Sequence, residues 1–192
     1  PDHTTILPFT RLLSAPMDYT SGIFNLKDYR YNSPDDRTID TRHHIPSTIA
    51  KELAHYVVIY APVQMAADLP ENYKGHPAFQ FILDVPTDWE ETLVLNGEIG
   101  KYITTVRKDR NSDDWYLGSI TNEESRQIEI EMSFLASGTN YNATIYKDPK
   151  DGGWNTNPEE IIIKNVVFSK GDVYMITLPS GGGQAIRFYP KR

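Results

Sequence analysis

The sequence predicts an α/β segment followed by an all-β one: the end of a (β/α)8 barrel over residues 1–85, then a C-terminal antiparallel β-sandwich over residues 86–192. Three observations carry that expectation. Apolar residues recur at helical spacing as far as Tyr60 and at a spacing of two beyond Trp89, which places a domain boundary at Val85-Pro86. An acid, Asp18, stands in a short extended stretch ahead of a long polar loop, the layout of a barrel's last strand, where ligand-facing groups gather. Past Trp89, alternating segments separated by turn signals give about seven to eight strands in some hundred residues, and a sandwich is the expected closure.

Taken in order, Thr5 caps a helix whose first turn tolerates Pro8, with Ile6, Phe9 and Leu13 on one face. Ser14-Ala15-Pro16 stops it, Met17-Asp18-Tyr19 resumes in extended form, and Ser21-Gly22 turns the chain outward. A polar loop of roughly twenty residues comes next, a length that is usually functional or mobile. It contains His43-His44, but adjacent histidines do not share a direction in any regular element and no metal-site spacing accompanies them. Ser47 caps a closing helix from about Thr48, with the apolar stripe Ile49, Leu53, Tyr56, Val57 and Tyr60. Pro62 ends it, and residues 63–67 add a further turn. A short helix over residues 76–83 closes this half.

The second half opens with a hairpin, because Asn96-Gly97 supplies the positive φ angles of a type I′ turn. Residues 109–114, DRNSDD, form a polar turn that lacks the Gly and distal Glu of a calcium loop. Trp115 begins another strand, and Ile128, Ile130, Met132 and Phe134 alternate with polar residues in the cleanest half-buried strand of the chain. Further strands lie near residues 140–146, 161–168, 173–178 and 184–189. Gly181-Gly182-Gly183 is a turn between strands and not a phosphate cradle, since no Lys-Ser/Thr follows it. Asn142-Ala143-Thr144 matches a glycosylation acceptor but falls inside a strand.

With 39% hydrophobic and 23% charged residues, the 192-residue chain can build a packed core. A net charge of −7 without a basic cluster argues against a nucleic-acid partner. Absence of cysteine removes disulfides, thiolate zinc and cysteine nucleophiles. No apolar run reaches the ~20 residues of a membrane span. A first residue of Pro is expected of a processed or excised piece, not of a native translational start.

The string HTTILPFTRLLSAPMDYTSG closely resembles the late barrel segment of glycoside hydrolase family 97, bacterial α-glucosidases and α-galactosidases. The resemblance resumes in FILDVPTDWEETLVLNGEIGKYITTVRKD, DDWYLGSIT and LPSGGGQAIRF, and so covers nearly the whole chain. It implies the end of a catalytic barrel plus a C-terminal domain of oligomerisation type. It also implies an oligosaccharide substrate, calcium in the intact enzyme, a homo-oligomer, and a periplasmic or exported location in a Gram-negative bacterium. The family's acid, nucleophile and calcium-binding glutamates belong to segments upstream of the one matched here. No catalytic residue and no metal ligand is therefore assigned to this chain. Asp18 and, more weakly, Tyr19 are the substrate-proximal candidates, against a structural, hydrogen-bonded acid and a packed ring.

Two other roles stay open for the β half. One is a carbohydrate-binding module using Trp89, Trp115 or Trp154, of which Trp154 in DGGWNTNP is the one expected at the surface. The other is a purely structural brace. A barrel takes ~250 residues, so the first half needs cover from elsewhere: exposing five stripe residues at about 1.5–3 kcal/mol each forfeits on the order of a whole domain's stability.

Overall fold

The computed structural model describes residues 2–27 and 45–191; the His43-His44 pair and most of the polar loop lie outside them. The opening stretch is not one helix. Helix α1 (His3–Ile6) gives way to two 3-10 turns, Leu7–Phe9 and Arg11–Leu13. Pro8 has no N–H to offer the carbonyl four residues back, and its ring crowds that carbonyl, so the α-helical ladder stops there. Thr5 lies within α1, its hydroxyl donating to the Asp2 carbonyl at 2.6 Å, and Leu13 is 79% exposed instead of sharing a buried face.

Strand β1 (Tyr19–Ser21) leads towards helix α2 (Ile49–Val58), after which comes strand β2 (Gln64–Ala66). β1 and β2 pair in parallel, Tyr19 opposite Gln64 and Ser21 opposite Ala66. Residues 63–67 therefore hold a strand where a helical turn was expected, and β1 is not the last strand of its sheet. The reason is local: α2 stops at Val58, where Ile59 turns extended, Pro62 keeps the helix from resuming, and residues 64–66 add to the pairing edge of β1. Thr48 rather than Ser47 caps α2, accepting from the Lys51 N–H at 3.1 Å. Short helices α3 (Pro70–Tyr73) and α4 (Phe79–Asp84) complete this half.

The second half is antiparallel, with β3 (Trp89–Glu98), β4 (Tyr102–Asp109), β5 (Trp115–Thr121), β6 (Arg126–Glu131), β7 (Tyr141–Lys147), β8 (Ile162–Phe168), β9 (Val173–Leu178) and β10 (Gly183–Pro190). Six strands form one sheet in the order β3-β4-β5-β10-β7-β8, and β6 pairs with β9 in a separate ribbon. The first hairpin turns at residues 99–101, where Gly100 takes φ +75°, and not at Asn96-Gly97, which remains paired within β3. Gly97 serves a different need: a Cβ there would lie 2.7 Å from the Phe9 ring.

Alternation along the sheet sends side chains to two cores. Trp115, Leu117, Ile186 and Phe188 pack with Ile128, Ile130, Ile176 and Leu178 of the β6–β9 ribbon, making an unequal sandwich of six strands against two. Tyr116, Ile120, Tyr146 and Ala185 point the other way, against Ile49, Leu53, Tyr56 and Val57 of α2 and against Phe81 of α4. Every residue of α2 is buried. The stripe thus finds its cover in this chain's own sheet, and one hydrophobic core runs across position 85.

Candidate functional site

In α/β units of this kind, ligand-facing groups belong to the loops beyond the C-terminal ends of parallel strands. Here those loops begin at Gly22 after β1 and at Ala67 after β2. They are tied to each other and to α2. Gly22, at φ +90°, donates its N–H to Glu52 Oε2 at 3.0 Å and accepts at its carbonyl from the Tyr73 hydroxyl at 2.8 Å. Any Cβ at Gly22 would come within 2.5 Å of the Tyr56 hydroxyl, so glycine is required on both counts. That hydroxyl is 3.0 Å from the Ser21 carbonyl and 3.1 Å from that of Met65, spanning the ends of both strands.

Asp68 closes the β2 side. Its Oδ2 accepts from the N–H groups of Phe24 and Asn25, each at 2.8 Å, and its Oδ1 from Leu69 N–H at 2.8 Å and the Asn72 side-chain amide at 2.6 Å. Partial burial opposes ionisation of Asp68, but these donors together outweigh it and hold the carboxyl below its ordinary value. Sequence reasoning missed Asp68. Its signal was the short run Gln64-Met65-Ala66-Ala67 ending in an acid, hidden once that run was taken as helical.

Beneath the loops lies a buried polar pair. Glu52 accepts from the Ser47 hydroxyl at 2.6 Å and stands 3.6 Å from His55 Nδ1. Burial raises the Glu52 carboxyl above its usual range despite the donors facing it, and burial, followed by the Lys51 charge, holds His55 well below its ordinary value and neutral at pH 7. Three more buried hydrogen bonds gather at the same, N-terminal end of α2. Lys51 Nζ donates to the Thr121 carbonyl at 2.8 Å, and Asp148 Oδ2 accepts from Thr48 Oγ1 at 3.1 Å and Gly183 N–H at 2.9 Å.

The two sequence candidates fall elsewhere. Asp18 is exposed, precedes the first residue of β1, and has no hydrogen-bond partner among the described residues. It lies at the opposite end of the strand from Gly22. Tyr19 is half-buried, edge-on to the His55 ring at 5.6 Å, and its hydroxyl is pushed up by burial and then by the Glu52 charge. Its ring packs under the unit. Trp89 and Trp115 are buried, and Trp154 is half-buried with its ring on Gly181, whose Cβ would meet it at 2.5 Å.

Among the described residues no group of three or more His, Asp and Glu side chains is placed to hold a metal ion. No helix among them is long and apolar enough to cross a membrane. Among the described residues, the acids that line this unit, Glu52, Asp68 and Asp148, are each engaged by backbone or hydroxyl donors and do not stand as a free facing pair of the kind glycosidic hydrolysis requires.

Comparison with known proteins agrees with this anatomy. Residues 88–189 match the family described as glycosyl-hydrolase 97 C-terminal, oligomerisation. The chain is 35% identical over 190 residues to a retaining α-galactosidase of Bacteroides thetaiotaomicron, covering 96% of this chain and 27% of that protein. It is 42% identical to a glycoside hydrolase family 97 enzyme from a Pseudoalteromonas species solved with panose and with acarbose, at a TM-score of 0.89 over 100% of this chain and 29% of that one. A β-arabinopyranosidase shares the fold at 24% identity and a TM-score of 0.76. The chain thus spans less than a third of the relatives it matches. It belongs to the glycosyl-hydrolase 97 C-terminal family.

Proposed function

We propose that this chain works as the C-terminal part of a glycoside hydrolase acting on α-linked galactosides or glucosides. Residues 1–85 supply the end of its (β/α)8 barrel and residues 86–192 an accessory β domain. The observation that carries the reading is the likeness to family 97 enzymes along the whole chain, 42% identical at a TM-score of 0.89. The parallel β1–β2 pair with α2 between its strands supports the barrel assignment, because parallel neighbours joined through a helix are the repeating unit of that fold. On this reading β1 and β2 are two staves of the barrel, and residues 22–27 and 67–72 face the sugar.

The carboxylates that protonate and attack the glycosidic bond come from the upstream polypeptide. What these residues contribute is shape and support. Calcium, expected for the intact enzyme from the family resemblance, has no donor set among the described residues and would be held by carboxylates of the upstream polypeptide. An exported or periplasmic location belongs to the same proposal and rests on that resemblance. Self-association of the β domain is supported by the family description and by the exposed Val173 and Met175 on β9 and Val167 on the edge strand β8.

The test is hydrolysis of aryl α-galactoside and aryl α-glucoside by the intact polypeptide that carries this chain, with aryl β-glycosides as controls. Release from an α-substrate by the intact protein, and none by residues 1–192 alone, is the expected pattern. An intact protein inert on both α-substrates overturns the reading.

A further inference from the structure

Residues 22–27 form no regular element, yet their backbone N–H groups are directed almost one after another into carboxylates. Gly22 N–H donates to Glu52 at 3.0 Å, with Ile23 N–H directed to the same carboxylate, and Phe24 and Asn25 N–H donate to Asp68 at 2.8 Å each. Lys27 N–H donates to Glu159 Oε1 at 2.8 Å, while the Lys27 ammonium is 3.9 Å from Oε2 of the same residue. The exception, Leu26, donates to the Phe24 carbonyl at 3.1 Å and accepts from Ile45 at 3.3 Å.

The three acids come from three places. Glu52 is on α2, Asp68 lies just past β2, and Glu159 lies in the loop ahead of β8 in the β half. That loop is itself fixed to α2, through the Pro158 carbonyl accepting from Ile49 N–H at 3.0 Å. A carboxylate that accepts from main-chain N–H groups makes charge-assisted bonds about twice as strong as neutral ones. Three acidic side chains accepting from main-chain N–H groups along six residues fix a backbone path that no helix or strand ladder would hold. Such rigidity at a loop beyond a parallel strand is what a binding rim requires, because a rim displaced by about an ångström loses much of its affinity.

We propose that Glu52, Asp68 and Glu159 are positioning residues that hold residues 22–27 as part of the sugar-facing rim of the intact enzyme, and that through Glu159 the β half takes part in substrate binding. The inference rests on the barrel reading above. It gives the β half a role beyond assembly, exerted in the same subunit.

The test uses the intact enzyme with Glu159→Gln and, separately, Asp68→Asn. Glu159 is partly exposed, so its variant keeps the fold, and each amide retains shape while losing the charge and one of the two acceptor oxygens. The expected result in both is a KM for the α-glycoside raised about 3- to 10-fold with kcat within about twofold, together with faster amide hydrogen exchange in the peptide covering residues 22–27. Unchanged KM in both variants of an active enzyme, or a lowered Tm as the sole effect, overturns the inference while leaving the glycosidase reading in place. A wild-type enzyme inert on both α-substrates removes that reading and this inference with it.

Discussion

At the scale of single residues, two glycines and one arginine set how closely α2 lies on the sheet. A Cβ on Gly118 of β5 would stand 2.6 Å from the Ala54 carbonyl oxygen and 3.0 Å from Val57 Cβ, contacts with backbone and stem that have nowhere to move. Gly118→Ala should therefore destabilise the chain by about 1–3 kcal/mol, read as a lower urea midpoint with an unchanged slope. Gly183 meets the Lys51 backbone in the same way, at 2.5 Å. Arg107, buried on β4, donates Nε to the Val57 carbonyl at 2.6 Å and Nη1 to Thr92 Oγ1 at 2.7 Å, with its guanidinium over the Tyr60 ring. It neutralises the carbonyl end of α2 where the helix dipole is negative. Arg107→Met should cost about 1.5–3 kcal/mol because the Val57 carbonyl is left unpaired in the interior, again measurable by denaturation. If the glycosidase reading holds, Asp18→Asn in the intact polypeptide should leave kcat/KM within about twofold, since Asp18 is solvated at the end of β1 away from residues 22–27. A larger loss would return Asp18 to the substrate. None of the glycine contacts was legible in the sequence, because a glycine within a strand does not announce which backbone approaches it.

At the scale of elements, α2 and its cap carry a pH signature. Burial pushes the Asp148 carboxyl up from its ordinary 3.8 to about 7, against the lowering effect of the Gly183 N–H, the Thr48 hydroxyl and the Lys51 ammonium. Between those two pH values the folded chain holds a proton that the unfolded chain has released, so this group's stabilising contribution is complete below about pH 4 and is lost as pH rises to about 7. Asp148→Asn should remove that decline, seen by comparing the pH dependence of the urea midpoint in variant and wild type. Where a pattern depended on local spacing, the sequence was a good guide. The alternation expected from Ile128 to Phe134 became β6 as far as Glu131, with Glu129 and Glu131 facing solvent and Met132 and Phe134 beyond the strand's end, and the stripe of α2 became its buried length. Where two local signals competed, it was not. Pro8 tolerates the first turn of a helix but divided this stretch into α1 and two 3-10 turns. Asn96-Gly97 favours a type I′ turn but gave way to Gly100, because Gly97 is needed where Phe9 presses on β3.

At the scale of the whole molecule, the β half is built around a helix it does not contain. Removing residues 1–85 would bare Tyr116, Ile120, Tyr146 and Ala185, which α2 and its neighbours now cover. Each large apolar side chain so exposed forfeits about 1.5–3 kcal/mol. Residues 86–192 alone should therefore bind a hydrophobic dye and aggregate at concentrations where the full chain stays dispersed; a monodisperse fragment with an unaltered Tm would show that the sheet needs no helix. The halves are further joined by Arg187, whose guanidinium bridges Asp84 of α4 at 2.6 Å and Asp114 at 2.9 Å, and by the Tyr116 hydroxyl on the Asp84 carbonyl at 2.8 Å. The sequence by itself determined the periods, hence a helical first half and an antiparallel second one, and it carried the family resemblance in contiguous strings. Tertiary structure alone decided that β2 pairs with β1, that Asp68 and Glu159 meet residues 22–27 from distant parts of the chain, and that the stripe of α2 is covered by its own sheet. The physical reason is range: side-chain periodicity is set by neighbours a few residues away, whereas a carboxylate's donors and a helix's cover are chosen by the packing of segments separated by as many as 132 positions.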